Sequence, residues 1–492
     1  MQEAPLARAA NGDSKALERT VMSESTVAGF RIEKDSMGEL RVPADALWGA
    51  QTQRAIDNFP ISGAPMPRAF IRALGLVKAA AASVNARLGQ LDATRAAATR
   101  AAALEVARGL HDGQFPIDVF QTGSGTSSNM NANEVIATLA SRSSGAAVHA
   151  NDHVNAGQSS NDVIPAAIQL GAVLLCEEHL LPGLDRLIEA IDVRAGELAD
   201  VTKTGRTHLM DAMPLTLGQE LGCWAAQLRS AHDRIIDTLE RVRRLPIGGT
   251  AIGTGINADP AFAAEMCAEL SALTGVDFDS APNLFEGIAA KDECVELSGQ
   301  LKTLACALMK IANDLRWMNS GPLAGLGEIE LPALQPGSSI MPGKVNPVVP
   351  EAACMVAAQV IGNDAAITIA GQSGNFQLNV MLPLIARNLL ESITLLGNVM
   401  PLLATRCIDG FKVRRERIDE ALARNPILVT ALNSVIGYEL GAATAKQAYA
   451  QGRPILEVAR ETTGLPEERL RELLDPLDLT RGGIRGGVVG GG

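Results

Sequence analysis

Residues 297–315 read LSGQLKTLACALMKIANDL, and Leu297, Leu301, Leu304, Leu308, Ile311 and Leu315 recur in them at alternating spacings of four and three. A helix closes a turn every 3.6 residues, so these six side chains fall on one stripe, the seam of a helix packed nearly parallel to others in a bundle. Leu217, Leu221, Trp224, Leu228, Ala231 and Ile235 repeat the pattern earlier in the chain. Both stripes read as core and carry no chemistry of their own. Helices of ~25–30 residues reach roughly 40 Å at 1.5 Å per residue. That exceeds what a compact monomer needs and points to a mainly α fold whose central bundle is shared between subunits.

The rest of the chain is consistent with a large soluble helical protein. Its 492 residues are 47% hydrophobic and 20% charged, enough for an extensive core and more than one domain. The net charge of −12, from 43 basic and 55 acidic residues, argues against a nucleic-acid partner. A local cationic pocket for a small anion remains compatible with it. Seven scattered cysteines form no CxxC pair, and several lie in apolar helical patterns, which favours reduced core thiols in a cytoplasmic protein. The six histidines show no metal-binding spacing, so no metal is expected. No uninterrupted apolar run reaches the ~18 residues of a membrane span, so no membrane partner is expected either.

Residues 1–28 are polar, rich in small residues and without an apolar signal core, and are expected to be a disordered extension, with Met22 as an alternative start. Phe30–Glu33 and Leu40–Pro43 flank Asp35-Ser36-Met37-Gly38, the pattern of a hairpin. Ala-rich helical segments follow at 69–88 and 92–110. The expected organisation is an N-terminal domain at 29–157, a central long-helix domain at 158–415 and a small C-terminal helical domain at 416–480. Asn425-Pro426 breaks a helix inside the last, and 481–492 form a flexible Gly-rich tail.

Four polar loops interrupt the helices. In QTGSGTSSNMNANE (121–134), Ser124, Gly125 and Thr126 precede a helical run, where free backbone N–H groups and hydroxyls suit a carboxylate or phosphate. His149-Ala150-Asn151-Asp152-His153 leads to a second such run, Ser159-Ser160-Asn161-Asp162, again opening an apolar helix. In Gly205-Arg206-Thr207-His208-Leu209-Met210-Asp211, His208 is the best general acid/base candidate, because an imidazole titrates near neutrality. The fourth loop, Gly337-Ser338-Ser339-Ile340-Met341-Pro342-Gly343-Lys344-Val345-Asn346-Pro347, combines Gly hinges, two hydroxyls, a cation and an amide. Glu351 follows early in the next helix and can orient a histidine as the acid of a triad does. The stretch 248–255, GGTAIGTG, lacks the spacing of a dinucleotide fingerprint. The candidate site is therefore one for a small polyanion, served by neutral donors, one His and a mobile Ser, with no cofactor.

In this order the loops resemble those of the fumarase/aspartase superfamily, and specifically class II (iron-independent) fumarate hydratases. QTGSGTSSNMNANEVIA, NDHVNAGQSSNDVIP, KTGRTHLMDAMPLTLGQE, GGTAIGTGIN and GSSIMPGKVNP carry the likeness, which spans about Phe30 to Gly483. The resemblance implies three domains, with a central bundle of long helices forming the core of a homotetramer, and active sites shared between subunits. It implies hydration of fumarate to (S)-malate, a step of the tricarboxylic acid cycle, with a small dicarboxylate as substrate. By the same resemblance Ser124, Gly125, Thr126, Ser159, Ser160, Asn161, Thr207, Ser339, Lys344, Val345 and Asn346 bind substrate. Ser338 matches the base that takes the C3 proton, and His208, backed by Glu351, matches the group acting at C2. A second anion site matches His149, Ala150, Asn151 and Asp152, where Ala150 replaces a usual Pro and Ala146 a basic residue. Aspartate ammonia-lyase shares much of this pattern and differs in its leaving group. An inactive structural homologue would have lost the catalytic side chains kept here.

Overall fold

The protein is described by a computed structural model over residues 29–483. The extension expected at 1–28 and residues 484–492 of the expected tail lie outside the described residues. The chain opens with the antiparallel hairpin β1 (Phe30–Asp35) and β2 (Gly38–Pro43), closed by Ser36-Met37. Asp35 accepts the Met37 N–H and pairs at 2.6 Å with Arg54 on α1 (Ala50–Asn58). Helices α2 (Arg68–Arg87) and α3 (Ala93–Arg108) form from the Ala-rich segments, with Asp92 capping the start of α3 and Gly109 ending it at φ 85°. Helix α4 (Thr126–Ser144) is tied to α1 by Glu134, whose carboxylate accepts the N–H groups of Gly49, Gln51 and Thr52. An acid at a helix N-terminus satisfies donors that have no partner inside the helix.

The bundle follows: α5 (Ser160–Leu175), α6 (Leu181–Glu197), then a second hairpin, β3 (Thr202–Thr207) with β4 (Met210–Thr216). Next come α7 (Leu217–Val242), α8 (Phe262–Thr274), α9 (Leu284–Ala289), α10 (Asp292–Met318), α11 (Val348–Gly371) and α12 (Leu382–Leu403). Helices α7 and α10 are 26 and 27 residues long. Thr216 and Gln219 form a reciprocal capping box that sets the start of α7. Helix α10 packs on α7 and α11, α11 on α12, and α12 on α5 and α6. Every residue of the two sequence stripes is buried, none more than 2% exposed.

A small helical region ends the described chain: α13 (Arg415–Arg424), α14 (Asn433–Ile436), α15 (Tyr438–Gln451), α16 (Ile455–Thr463), α17 (Glu467–Leu473) and α18 (Pro476–Leu479). Helix α13 stops before Asn425-Pro426. The buried apolar residues form two clusters, one from Leu47 to Ile418 and a smaller one from Leu422 to Leu474.

Three expectations need correction. The segment around His208 is not an open loop between helices but the tip of the β3–β4 hairpin. Not all thiols are core: Cys176, Cys267, Cys294 and Cys407 are buried, whereas Cys223 and Cys306 are exposed. Three helical stretches, Arg68–Arg87, Ser160–Glu197 and Val348–Gly371, do have the length and mean hydropathy of a membrane span. An uninterrupted apolar run is too strict a criterion, because Ala-rich helices with one or two charges reach the same mean. In the first two, 78% of the apolar window is buried inside the protomer. In α11 only 33% is, and Met355 and Ile369 stand exposed on it.

Candidate active site

The first two polar loops meet. Ser124 and Thr126 share a 2.9 Å hydrogen bond between hydroxyls at the start of α4. Gly125 turns the chain there at φ 71°, and a Cβ on it would stand 2.9 Å from Ile164 of α5, so only glycine lets the two helix starts approach. Ser159 caps α5 in a capping box with Asp162. The Asp162 carboxylate also accepts the N–H groups of Gly248 and Thr250, both at 2.9 Å, and Asn161 Nδ2 donates to Ala251 O at 2.8 Å. The glycine-rich stretch 248–255 is thus a brace for α5. Burial raises the Asp162 carboxyl above its ordinary value, against the pull of these N–H groups and of Lys78.

Behind these hydroxyls lies a buried polar network. Lys78 on α2 is fully buried and donates to Asn155 Oδ1 and Gln158 Oε1, both at 2.9 Å. Asn155 Oδ1 also accepts from Asn129 Nδ2 and Asn133 Nδ2, each at 3.2 Å. Asn129 Nδ2 donates to Ser160 Oγ at 3.0 Å. Burial pushes the Lys78 ammonium down to about 7, with Asp162 opposing the shift.

His208 and Leu209 are the two central residues of the β3–β4 turn, at φ 55° and 61°. A two-residue hairpin turn of this kind needs positive φ at both positions, a conformation costly for residues other than Gly or Asn. Thr207, His208 and Leu209 are exposed. The hairpin base is fixed by charge: Lys203, 1% exposed, pairs with Glu220 on α7 at 2.7 Å and with Glu328 at 2.6 Å, and Arg206 pairs with Glu328 at 2.7 Å.

The fourth loop closes on itself. Gly337 N–H donates to Lys344 O at 2.8 Å and Asn346 Nδ2 to Gly337 O at 2.7 Å. A Cβ on Gly337 would lie 2.5 Å from Lys344 O, so this closure requires glycine. Ser338 Oγ accepts the N–H groups of Ile340 and Met341 at 3.2 and 3.1 Å. Two N–H dipoles aimed at one oxygen favour its deprotonated form. Ser339, Lys344 and Val345 are exposed. Lys344, Val345, Asn346 and Glu351 line a cleft of about 730 Å³ together with Arg316, Asn319 and Arg414.

The candidate residues therefore occupy three surfaces of one protomer: the α4/α5 starts, the hairpin tip, and the 337–347 loop with the first turn of α11. Among the described residues His208, Lys344 and Glu351 make no side-chain hydrogen bond or ion pair, and the expected His208–Glu351 bond is not formed within the protomer. His149 and Asp152 lie apart on an exposed helical turn, 3.3 Å from one another, with Ala150 half-buried and Asn151 exposed. No group of three or more His, Cys, Asp or Glu among the described residues is arranged to hold a metal ion. Sequence reading missed Lys78, Asn129 and Asn155. Lys78 is the single charge in the Ala-rich apolar run between Arg72 and Arg87, which was the available signal.

A family model described as Lyase matches residues 38–362 of this long-helix bundle and its polar loop surfaces, and one described as Fumarase C C-terminus matches 428–481. A class II fumarate hydratase of Xylella fastidiosa is 66% identical over 96% of this chain and 99% of its own, and one of Pseudomonas aeruginosa is 62% identical over 92% and 99%. Among solved structures, a class II fumarase from Schistosoma mansoni superposes with a TM-score of 0.89 at 39% identity, covering 92% of this chain and 99% of that one. A fumarate lyase:delta crystallin from Brucella melitensis gives 0.88 at 46% identity, covering 92% and 100%. The chain belongs to the class II fumarate hydratase family.

Proposed function

We propose that this protein is a fumarate hydratase, interconverting fumarate and (S)-malate. The observation that carries this reading is the Ser124–Thr126 hydroxyl pair and the Asn129-held Ser160 hydroxyl at two adjoining helix starts, in a chain 66% identical to a class II fumarate hydratase. Neutral donors at helix N-termini suit a carboxylate.

The chemistry explains the donor inventory. The C3 proton of malate is weakly acidic, and its removal drives charge into the adjoining carboxylate, which becomes an aci-carboxylate carrying nearly two charges. Each donor aimed beforehand at such a group is typically worth ~3–4 kcal/mol. In this reading Ser124, Thr126, Ser159, Ser160, Asn161, Thr207, Ser339, Lys344 and Asn346 hold the two carboxylates, and Ser338 takes the C3 proton. The N–H groups of Ile340 and Met341 on Ser338 Oγ supply a means of activating that hydroxyl. His208, oriented by Glu351, delivers the proton that lets the C2 hydroxyl leave as water.

The three surfaces come together when subunits associate, and we take the assembly to be a homotetramer. Two features support it: the apolar face of α11 left open in the protomer, and the lack of a side-chain partner for His208, Lys344 and Glu351 among the described residues. The domain divisions at 158 and 416, the cytoplasmic location and the second anion site at His149 to Asp152 belong to the same reading. The 416 boundary falls one residue inside α13. The test is to supply purified protein with malate and, separately, aspartate, following the ultraviolet absorbance of the conjugated diacid. Fumarate formed from malate alone is expected. Fumarate formed from aspartate alone would assign the chain to ammonia elimination.

A further inference from the structure

Ser160 can assist a carboxylate only if its hydroxyl proton points toward the anion. A serine hydroxyl is both donor and acceptor, so nothing in Ser160 itself fixes that direction. The buried network behind it does. Lys78 Nζ carries donors only, and its two bonds go to Asn155 Oδ1 and Gln158 Oε1. The carbonyl end of Asn155 must therefore face the lysine, while its amide end donates to Gln158 O at 3.1 Å. That leaves Asn155 Oδ1 as the acceptor for Asn129 Nδ2, whose second hydrogen reaches Ser160 Oγ. Ser160 Oγ is then occupied as an acceptor from behind and has its own proton free.

The carbonyl ends of the two asparagines do not set this order. Neither Asn129 Oδ1 nor Asn133 Oδ1, both buried, has a partner among the described residues. Turning Asn129 over would bring its carbonyl against Asn155 Oδ1 and Ser160 Oγ. Turning Asn155 as well would aim an amide at the ammonium. The direction is imposed from the lysine end.

We infer that Asn129 is a positioning residue, held by Asn155 and Lys78, that fixes Ser160 as a hydrogen-bond donor to the substrate carboxylate. The inference rests on the reading that Ser160 faces that carboxylate. The lowered proton affinity of Lys78 does not undo the order, since a neutral amine keeps two N–H bonds for its two acceptors.

The test is Asn129→Asp, a change of the same shape whose carboxylate only accepts. Ser160 must then give its proton backward and turn lone pairs toward the anion. A hydrogen bond to a charged group is worth about 10- to 100-fold. We expect kcat/KM for malate to fall by about that factor, to match Ser160→Ala, and to fall no further in the double variant, with tetramer and melting temperature retained. Lys78→Met, an apolar chain of similar length, is expected to raise KM with kcat less affected, and keeps the inference testable should Asn129→Asp fail to assemble. Loss in Ser160→Ala with wild-type kinetics in folded Asn129→Asp and Lys78→Met overturns the inference alone. Wild-type kinetics in Ser160→Ala overturns instead the reading that Ser160 binds substrate.

Discussion

Single side chains of the candidate site already sit in surroundings that lean toward their proposed roles. Ser338 Oγ receives two backbone N–H groups, so an alkoxide there is stabilised before any substrate arrives. Ser338→Ala is expected to lower kcat by ~10²–10⁴-fold, the usual contribution of a general base, with circular dichroism and state of association unchanged; near-normal turnover would remove Ser338 from that role. His208 sits at an exposed hairpin tip with no side-chain partner among the described residues, so it contributes little to the stability of the fold. His208→Asn should therefore cost about 10²-fold or more in kcat and leave the melting temperature within a few degrees. A large loss of stability would make the histidine structural. Lys78 gives a pH effect. Its proton affinity falls from 10.5 in the unfolded chain to about 7 in the fold. Between those values the unfolded state binds more protons, so this group makes stability rise with pH from about 7 to about 10.5. Denaturant midpoints across that window should show the rise in wild type and a flatter line in Lys78→Met.

At the scale of elements, the β3–β4 hairpin is the part whose position most needs explaining, because it carries His208. Its base is held by Lys203, Arg206, Glu220 and Glu328, with Glu328 only 5% exposed at its side chain. Removing Glu328 takes one of two carboxylates from buried Lys203, which keeps Glu220, and the one that Arg206 pairs with, so the loss should stay below the about 3–5 kcal/mol of a fully unpaired buried charge. Glu328→Ala is expected to lower the melting temperature and, by loosening the hairpin, kcat as well; unchanged stability would show the network to be dispensable. This hairpin was also the least legible element. His208-Leu209 offers neither the Gly nor the Asn that marks a two-residue turn, and the flanking strands lack clean alternation. The long helices were legible because their period is carried by large apolar residues that all end in the core. The hydroxyl-rich helix starts were legible because small donors cluster there beyond what capping needs. The Lys78 network was not, since its bond to Asn155 joins residues 77 apart and depends on how α2 packs beside α4 and α5.

At the scale of the whole molecule, one protomer presents three incomplete surfaces and one underused apolar helix face. In the proposed assembly, subunits complete one another's sites. A dimer or monomer should consequently be inactive toward malate even when folded, and dilution until the tetramer dissociates is expected to abolish turnover reversibly. The most direct measurement mixes two inactive chains. Ser338→Ala and His208→Asn subunits, coexpressed in equal amounts, form hybrid tetramers in which a site drawing Ser338 and His208 from different subunits is intact about a quarter of the time. The account predicts recovery of roughly that fraction of wild-type activity. Activity no greater than that of the two parent variants would show that a single chain supplies both residues, and would contradict it.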